Sequence, residues 1–198
     1  VSSGFAKDDY KAKMDAFVSN LLGKMTVDEK IGQLNLTICS EFVSGQINDN
    51  STTVRDNLKK GALGGLFGFK DAKQIKELQK MAVENSRLHI PLIFGYDVVH
   101  GYDVTFPIPL ALSSSWNPNI VETMARISAK EAASDGVCWT YAPMVDICHD
   151  ARWGRIAEGA GEDPYLGSVM AKAYIHGFQG DNDLSKNTNI MACVKHFA

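Results

Sequence analysis

The sequence predicts an α/β fold, a parallel sheet with helices packed on it. Three observations predict it. Short runs that are apolar throughout alternate with longer amphipathic stretches, as parallel strands buried on both faces alternate with crossover helices. The boundaries carry cap and glycine signals at helical spacing. Charged and imidazole side chains fall just after the apolar runs, where such sheets collect their functional groups.

In chain order, residues 1–24 read as an N-terminal extension with a lead-in helix, and residues 25–198 as one domain. "MTVDEK" places Glu29 three residues after Thr26, a capping box. It feeds "IGQLNL", a strand candidate. "STTVRDNLKKG" offers caps at Ser51 to Thr53 and a stop at Gly61. "ALGGLFGF" is strand-like and glycine-rich, which predicts close backbone approach. The next helix sets Ile75, Leu78 and Ala82 at helical spacing behind Asp71, and "IPLIFGYDVV" follows as a strand. Asn117, Pro118 and Gly136 mark an N-cap, a first turn and a C-terminal stop. "VCWTYAPMVDI" is the next strand, "DPYLGSVMAKAYIHGFQG" a helix ending near Gly180, and "NIMACVKHFA" the last strand. Five strand candidates leave two solutions, a doubly wound open sheet and a β/α barrel.

Composition excludes several classes. The 198 residues are 45% hydrophobic and 22% charged, which suits one sizeable core. A net charge of −3 with interspersed signs gives neither a nucleic-acid surface nor a polybasic membrane patch. No run is long enough to span a bilayer, and the N-terminus has no signal-peptide apolar core. Cys39, Cys138, Cys148 and Cys193 form no CxxC pair, and the histidines lack HxxxH or HExxH spacing, so no metal is expected. The sequon at Asn35 falls in an expected buried strand, and that at Asn50 matters only in a glycosylating host. No G-x-G-x-x-G follows the first strand, and "GGLFG" lacks the lysine of a phosphate loop. "SSSW" at Ser113 to Trp116 is not a serine-hydrolase elbow.

The strand ends deliver Asp97 and His100, then Asp146, Asp150, Arg152, Trp153 and Arg155, then Lys195 and His196. Several have structural readings. Asp97 could cap a turn, His100 could be a buried structural histidine, and Asp146 could close its strand by accepting from loop N–H groups. One of Arg152 and Arg155 is expected to pin a loop through Asp150, Glu158 or Glu162. Lys195 resists such a reading, because lysine is almost never fully buried without a partner. Carboxylates, cations and imidazole on one rim with aromatic residues nearby suit a small, hydroxyl-rich ligand.

The segments "MTVDEKIGQLN", "FGYDVVHG", "FPIPLALSSSWNP", "YAPMVDI", "RWGRIAEGAGEDPYLG" and "CVKHFA" together resemble family 3 of the glycoside hydrolases, the β-glucosidase and exo-β-glucanase group. The resemblance runs from about residue 25 to the end. It implies a (β/α)8 TIM-type barrel of which only the N-terminal part, about five strands, is present. It also implies retaining hydrolysis of β-glucosides or short β-glucans from the non-reducing end by a parent enzyme. Asp97, Arg155, Lys195 and His196 match the family's glycone-gripping residues, and non-proline cis peptides are expected around the last pair.

The chain departs from the family's pattern in places. "HDARWGR" stands where the family often has "RDPRWGR", with His149 and Ala151 as the changed residues. Asp103 follows "HGY", where close relatives carry a base, which makes it a candidate substrate-rim residue. "KHFA" rather than "KHFPGHG" points away from the β-N-acetylhexosaminidase branch.

Retaining hydrolysis needs two carboxyl groups about 5–5.5 Å apart. In this family both come from later segments, so the nucleophile Asp and the acid/base Glu are expected after Ala198. The 198-residue chain alone is then inactive, its partner a β-linked glucoside or oligosaccharide, with no cofactor. The alternatives are a β-xylosidase-type specificity or a non-catalytic sugar-binding or assembly fragment. The family implies a periplasmic or secreted location. A truncated barrel would expose an unpaired edge along "IMACVKHFA" and self-associate.

Overall fold

The computed structural model describes residues 3–38 and 50–197, with side chains from residue 9 in the first segment and residue 54 in the second. Cys39 and the side chains of Asn50 and of the cap candidates Ser51 to Thr53 lie outside the described residues. Helix α1 (Ser3–Lys24) leads into α2 (Val27–Gln33) and β1 (Leu36–Ile38). Then follow α3 (Asn50–Lys59), β2 (Gly65–Phe67), α4 (Ala72–Asn85), β3 (Ile93–Tyr96), α5 (Pro109–Ser113), α6 (Pro118–Ser134), β4 (Trp139–Thr140) and α7 (Pro164–Gln179).

The strands are parallel and lie in the order β1-β2-β3-β4. Spatial order equals chain order, with no reversal. That is barrel succession; a doubly wound sheet reverses at a switch point. The two solutions left by the strand pattern are thereby resolved in favour of the TIM-type barrel.

The caps form where the sequence puts them. Thr26 and Glu29 make a full capping box on α2. Asp71 accepts from Lys73 N and Gln74 N, and Asn117 from Asn119 N. Gly136 and Gly180 take the positive φ values that helix stops require.

Two strand expectations are corrected. Ile31, Gly32 and Gln33 belong to α2, so the first strand begins at Leu36. The capping box extends the helix over these residues, and Gly32 packs directly on the backbone of Gly61 and Ala62, where a side chain would clash. Asn35 therefore precedes the strand and is exposed, its amide donating to Ala62 O at 3.0 Å.

The last apolar run does not form a continuous fifth strand. It pairs with β4 and the segment after it through isolated bridges at Trp139↔Met191 and Met144↔Lys195. Pro143 lies between those bridges and has no N–H to give the ladder.

One sheet face is packed. Leu66, Phe94 and Thr140 are buried under the helices, in a core shared with Val121, Met124 and Phe178. The other face carries the register rows Leu36–Gly65–Ile93 and Ile38–Phe67–Gly95–Trp139. On it Leu36, Ile93 and Ile38 are 40%, 42% and 53% exposed. Burial on both faces is thus not achieved within these residues, because a barrel's inner face is filled only by side chains from around the ring.

Glu29 ties the lead-in to the domain. Arg87 donates to both of its carboxylate oxygens, at 2.9 and 2.5 Å, and to Lys24 O at the end of α1. The Arg87 hydrogen bonds and the Thr26 N–H lower the Glu29 carboxyl to about 2. Among the described residues no helix is long and apolar enough to cross a membrane.

Candidate functional site

The C-terminal ends of β3, of β4 with its continuation, and of the last run converge. At β3, Val98 N donates to Tyr96 O and to the buried Thr140 hydroxyl. This fixes the turn from which Asp97 projects. Lys195 N donates to Pro143 O and Val145 N to Lys195 O, stitching the last run to the segment after β4. The Lys195–His196 peptide is cis, as is Ala142–Pro143. A 3-10 turn, Ile156–Glu158, sets Arg155 and Glu158 one turn apart.

The side chains form one linked row. His196 Nδ1 meets Asp146 Oδ2 at 2.7 Å, and Arg155 Nη1 meets His196 Nε2 at 3.1 Å. Arg155 Nε and Nη2 each donate to Glu158 at 2.7 Å. Lys195 Nζ lies 3.8 Å from Glu158 and 3.6 Å from Asp97. A guanidinium has only donors, so His196 Nε2 accepts and Nδ1–H donates to Asp146.

The four expected site residues therefore divide into two kinds. Arg155 and His196 are held by protein partners. Lys195 is only 14% exposed, yet its nearest carboxylates stand beyond hydrogen-bond distance. Among the described residues the Asp97 carboxylate accepts no hydrogen bond and is half exposed. A half-buried cation with unspent donors beside an open acceptor is a site for vicinal hydroxyls, each of which both donates and accepts.

The electrostatics follow from the pairs. The Arg155 bidentate contact holds the Glu158 carboxyl below its ordinary value. Burial pushes Asp146 up, but the hydrogen bonds from His196 outweigh it, and the net shift is downward. Both acids are therefore kept ionised, as groups that orient their neighbours rather than supply protons.

The other candidates have structural partners. His100 Nδ1 donates to Phe106 O and is structural. Both arginines pin loops, where one was expected to do so, because Arg152 grips Asp150 while Arg155 grips Glu158. Asp103 pairs with Lys70 at 2.8 Å, and Glu131 takes its N–H, and both contacts lie outside the row. Asp146 proves to be the partner of His196 rather than a closer of loop N–H groups.

Sequence reasoning missed Glu158 as the centre of the row, although its three-residue spacing from Arg155 on a helical turn was a readable signal. It also missed Tyr141, whose buried hydroxyl has no hydrogen-bond partner among the described residues and lies over Gly95. Burial, and then the nearby Asp97 charge, push that phenol up.

Residues 26–198 match the glycosyl hydrolase family 3 N-terminal domain. The chain belongs to glycosyl hydrolase family 3. A periplasmic beta-glucosidase of Salmonella typhimurium is 46% identical over 184 residues, which cover 93% of this chain and 23% of that protein. A putative beta-xylosidase of Formosa agariphila is 33% identical, over 96% of this chain and 27% of that protein. Among solved structures, a beta-glucosidase from Listeria innocua in complex with glucose superposes with a TM-score of 0.81 at 39% identity. That match covers 92% of this chain and 26% of the Listeria chain. The family 3 chain spans about a quarter of the length of the relatives it matches. Its sheet is the alpha/beta architecture of that N-terminal domain.

Proposed function

We propose that this chain supplies the glycone-binding half of a retaining β-glucosidase that releases glucose from β-glucosides or short β-glucans. The observation that carries the reading is the pair Lys195 and Asp97, donors and acceptor left unspent beside the held Arg155 and His196. Lys195 donates to one sugar hydroxyl and Asp97 accepts from it or its neighbour, while Arg155 and His196 face the remaining ring oxygens. A hydrogen bond to a charged group contributes about 1.5–3 kcal/mol. The nucleophile and the acid/base come from outside these 198 residues, so the chain alone does not turn over. The chemistry runs on carboxylates and water and calls for no metal or cofactor.

The periplasmic relative supports a periplasmic location, and the glucose complex of the Listeria enzyme supports a glucose-type ring. The xylosidase relative supports the runner-up, a ring lacking the exocyclic CH2OH. Asp103 would then stand at the rim with its charge shared by Lys70. The exposed inner face at Leu36, Ile38 and Ile93 supports self-association of the isolated chain. Sedimentation velocity checks this, and a concentration-independent monomer would refute it.

The functional test is hydrolysis of p-nitrophenyl β-glucoside and β-xyloside by the full-length polypeptide that carries this segment, with and without Asp97→Ala. The expected result is preference for the glucoside, abolished by the substitution. Xyloside preference would establish the runner-up, and sugar binding without turnover would establish a non-catalytic module.

A further inference from the structure

We propose that Glu158 is the positioning residue of this site, setting the direction of Arg155 and, through it, the hydrogen bond that His196 receives at Nε2. The inference rests on the sugar-binding reading above and adds a residue that this reading leaves unassigned.

The geometry carries it in three steps. First, Glu158 takes Arg155 by its fork, Nε and Nη2 to the two carboxylate oxygens at 2.7 Å each. Such a bidentate pair fixes the guanidinium plane as well as its place. Of the five guanidinium N–H groups, Glu158 takes two and His196 a third. Two remain, one on Nη1 and one on Nη2, and the fork decides where they point.

Second, the same plane delivers Nη1 to His196 Nε2 at 3.1 Å. With Nε2 accepting, the ring hydrogen resides on Nδ1, where Asp146 receives it at 2.7 Å. The imidazole is held by Asp146 on one side and by Arg155, aimed by Glu158, on the other, and its orientation is fixed while both sides hold. Third, Glu158 stands 3.8 Å from Lys195 Nζ, which also lies 3.6 Å from Asp97. Both carboxylates pair with the lysine's charge beyond hydrogen-bond distance, which leaves its donors for a ligand.

The distinction from a loop-pinning role lies in the chemistry required. A loop needs only a hydrogen-bond acceptor at residue 158, and glutamine supplies one. Positioning the fork needs two equivalent anionic oxygens, and glutamine does not supply them.

The test uses the full-length polypeptide with p-nitrophenyl β-glucoside and the variants Glu158→Gln, Arg155→Ala and their combination. Misplacement of a binding group by about 1 Å costs on the order of 100-fold, so Glu158→Gln is expected to lower kcat/KM by about 10- to 100-fold. The combined variant is expected to lose less than the product of the two single losses, because Glu158 acts chiefly through the arginine. Retention of kcat/KM within about twofold in Glu158→Gln, or losses that multiply in the double variant, would overturn the proposal.

A second measurement stands apart from activity. The 15N ring shifts of His196 are expected to report Nδ1–H, held by Asp146, in both proteins, and a changed Nε2 shift in Glu158→Gln as the Arg155 N–H leaves it. An unchanged Nε2 shift would overturn the proposal even where hydrolysis is absent. Absent hydrolysis together with a changed Nε2 shift would reject the hydrolase reading and leave the role of Glu158 standing. Glu158→Asp serves where the glutamine variant unfolds. It keeps the charge at a shorter reach, and it is expected to lose less activity and to change the Nε2 shift less than Glu158→Ala.

Discussion

Substituting Gly177 by alanine sets two magnitudes against each other. Gly177 lies inside α7, where alanine is favoured over glycine by about 1 kcal/mol. A Cβ at residue 177, however, would stand 2.5 Å from Ala125 Cβ, 2.5 Å from Glu122 O and 3.0 Å from Arg126 N, all on α6. Carbon contacts are comfortable at about 3.5–4.0 Å, so α6 and α7 would have to part by about 1 Å. The neighbours are backbone and a Cβ, which cannot swing aside. Overpacking costs about 1–3 kcal/mol, and a contact this close belongs at the upper end. The net expectation is a loss of about 2 kcal/mol, or about 4–8 °C in melting temperature for a chain this size.

Gly167 is the control. It lies in the same helix, but a Cβ there would meet only Ile147 Cδ1, at an ordinary 3.6 Å. Gly167→Ala should therefore gain up to about 1 kcal/mol from helix propensity. The assay is thermal unfolding followed by circular dichroism at several protein concentrations. If Gly177→Ala melts at or above Gly167→Ala, the close-packing argument for α6 and α7 is wrong.

Two further outcomes are expected. Glu29 has a folded pKa of about 2 against an ordinary value of 4.5, so the unfolded chain binds the extra proton between these values. Its contribution to stability is fully present above about pH 4.5 and is lost as pH falls toward 2. Urea midpoints measured across that window should fall less steeply in Arg87→Met, and an identical slope would refute the assignment. Gly95→Ala would drive a Cβ into the Tyr141 hydroxyl at the level just below Asp97. It should weaken glucose affinity about tenfold or more, by displacing the carboxylate from its hydroxyl partner. Unaltered affinity by calorimetry would show that Tyr141 has no part in the site.

Much of the fold was legible because local signals agreed with the tertiary result. Thr26, Asp71 and Asn117 cap helices in the folded chain as their spacing requires. The strands were harder to place. "IGQLNL" is apolar enough for either state, and it divides, Ile31 to Gln33 closing the helix that the capping box starts and Leu36 opening the strand. The last run looked like a continuous strand, and only the partner it meets, with Pro143 in the ladder, interrupts it.

At the site, Asp97, Arg155, Lys195 and His196 were readable from motif and strand-end position, and all four are linked through the row. Roles were less readable than positions. Which acid holds which base depends on crossings between segments 41 and 50 residues apart, and sequence spacing carries no such information. Glu158 is the exception, since its i+3 spacing from Arg155 was local.

The central claim is that Asp97 and Lys195 are the free binding groups for a sugar. It is tested most directly by calorimetric titration of glucose into the full-length polypeptide, unmodified and as Asp97→Ala and Lys195→Ala. Each substitution removes one charged hydrogen-bonding group, so affinity should fall by about 10-fold or more in both. Glucose affinity unchanged in either variant would contradict the account.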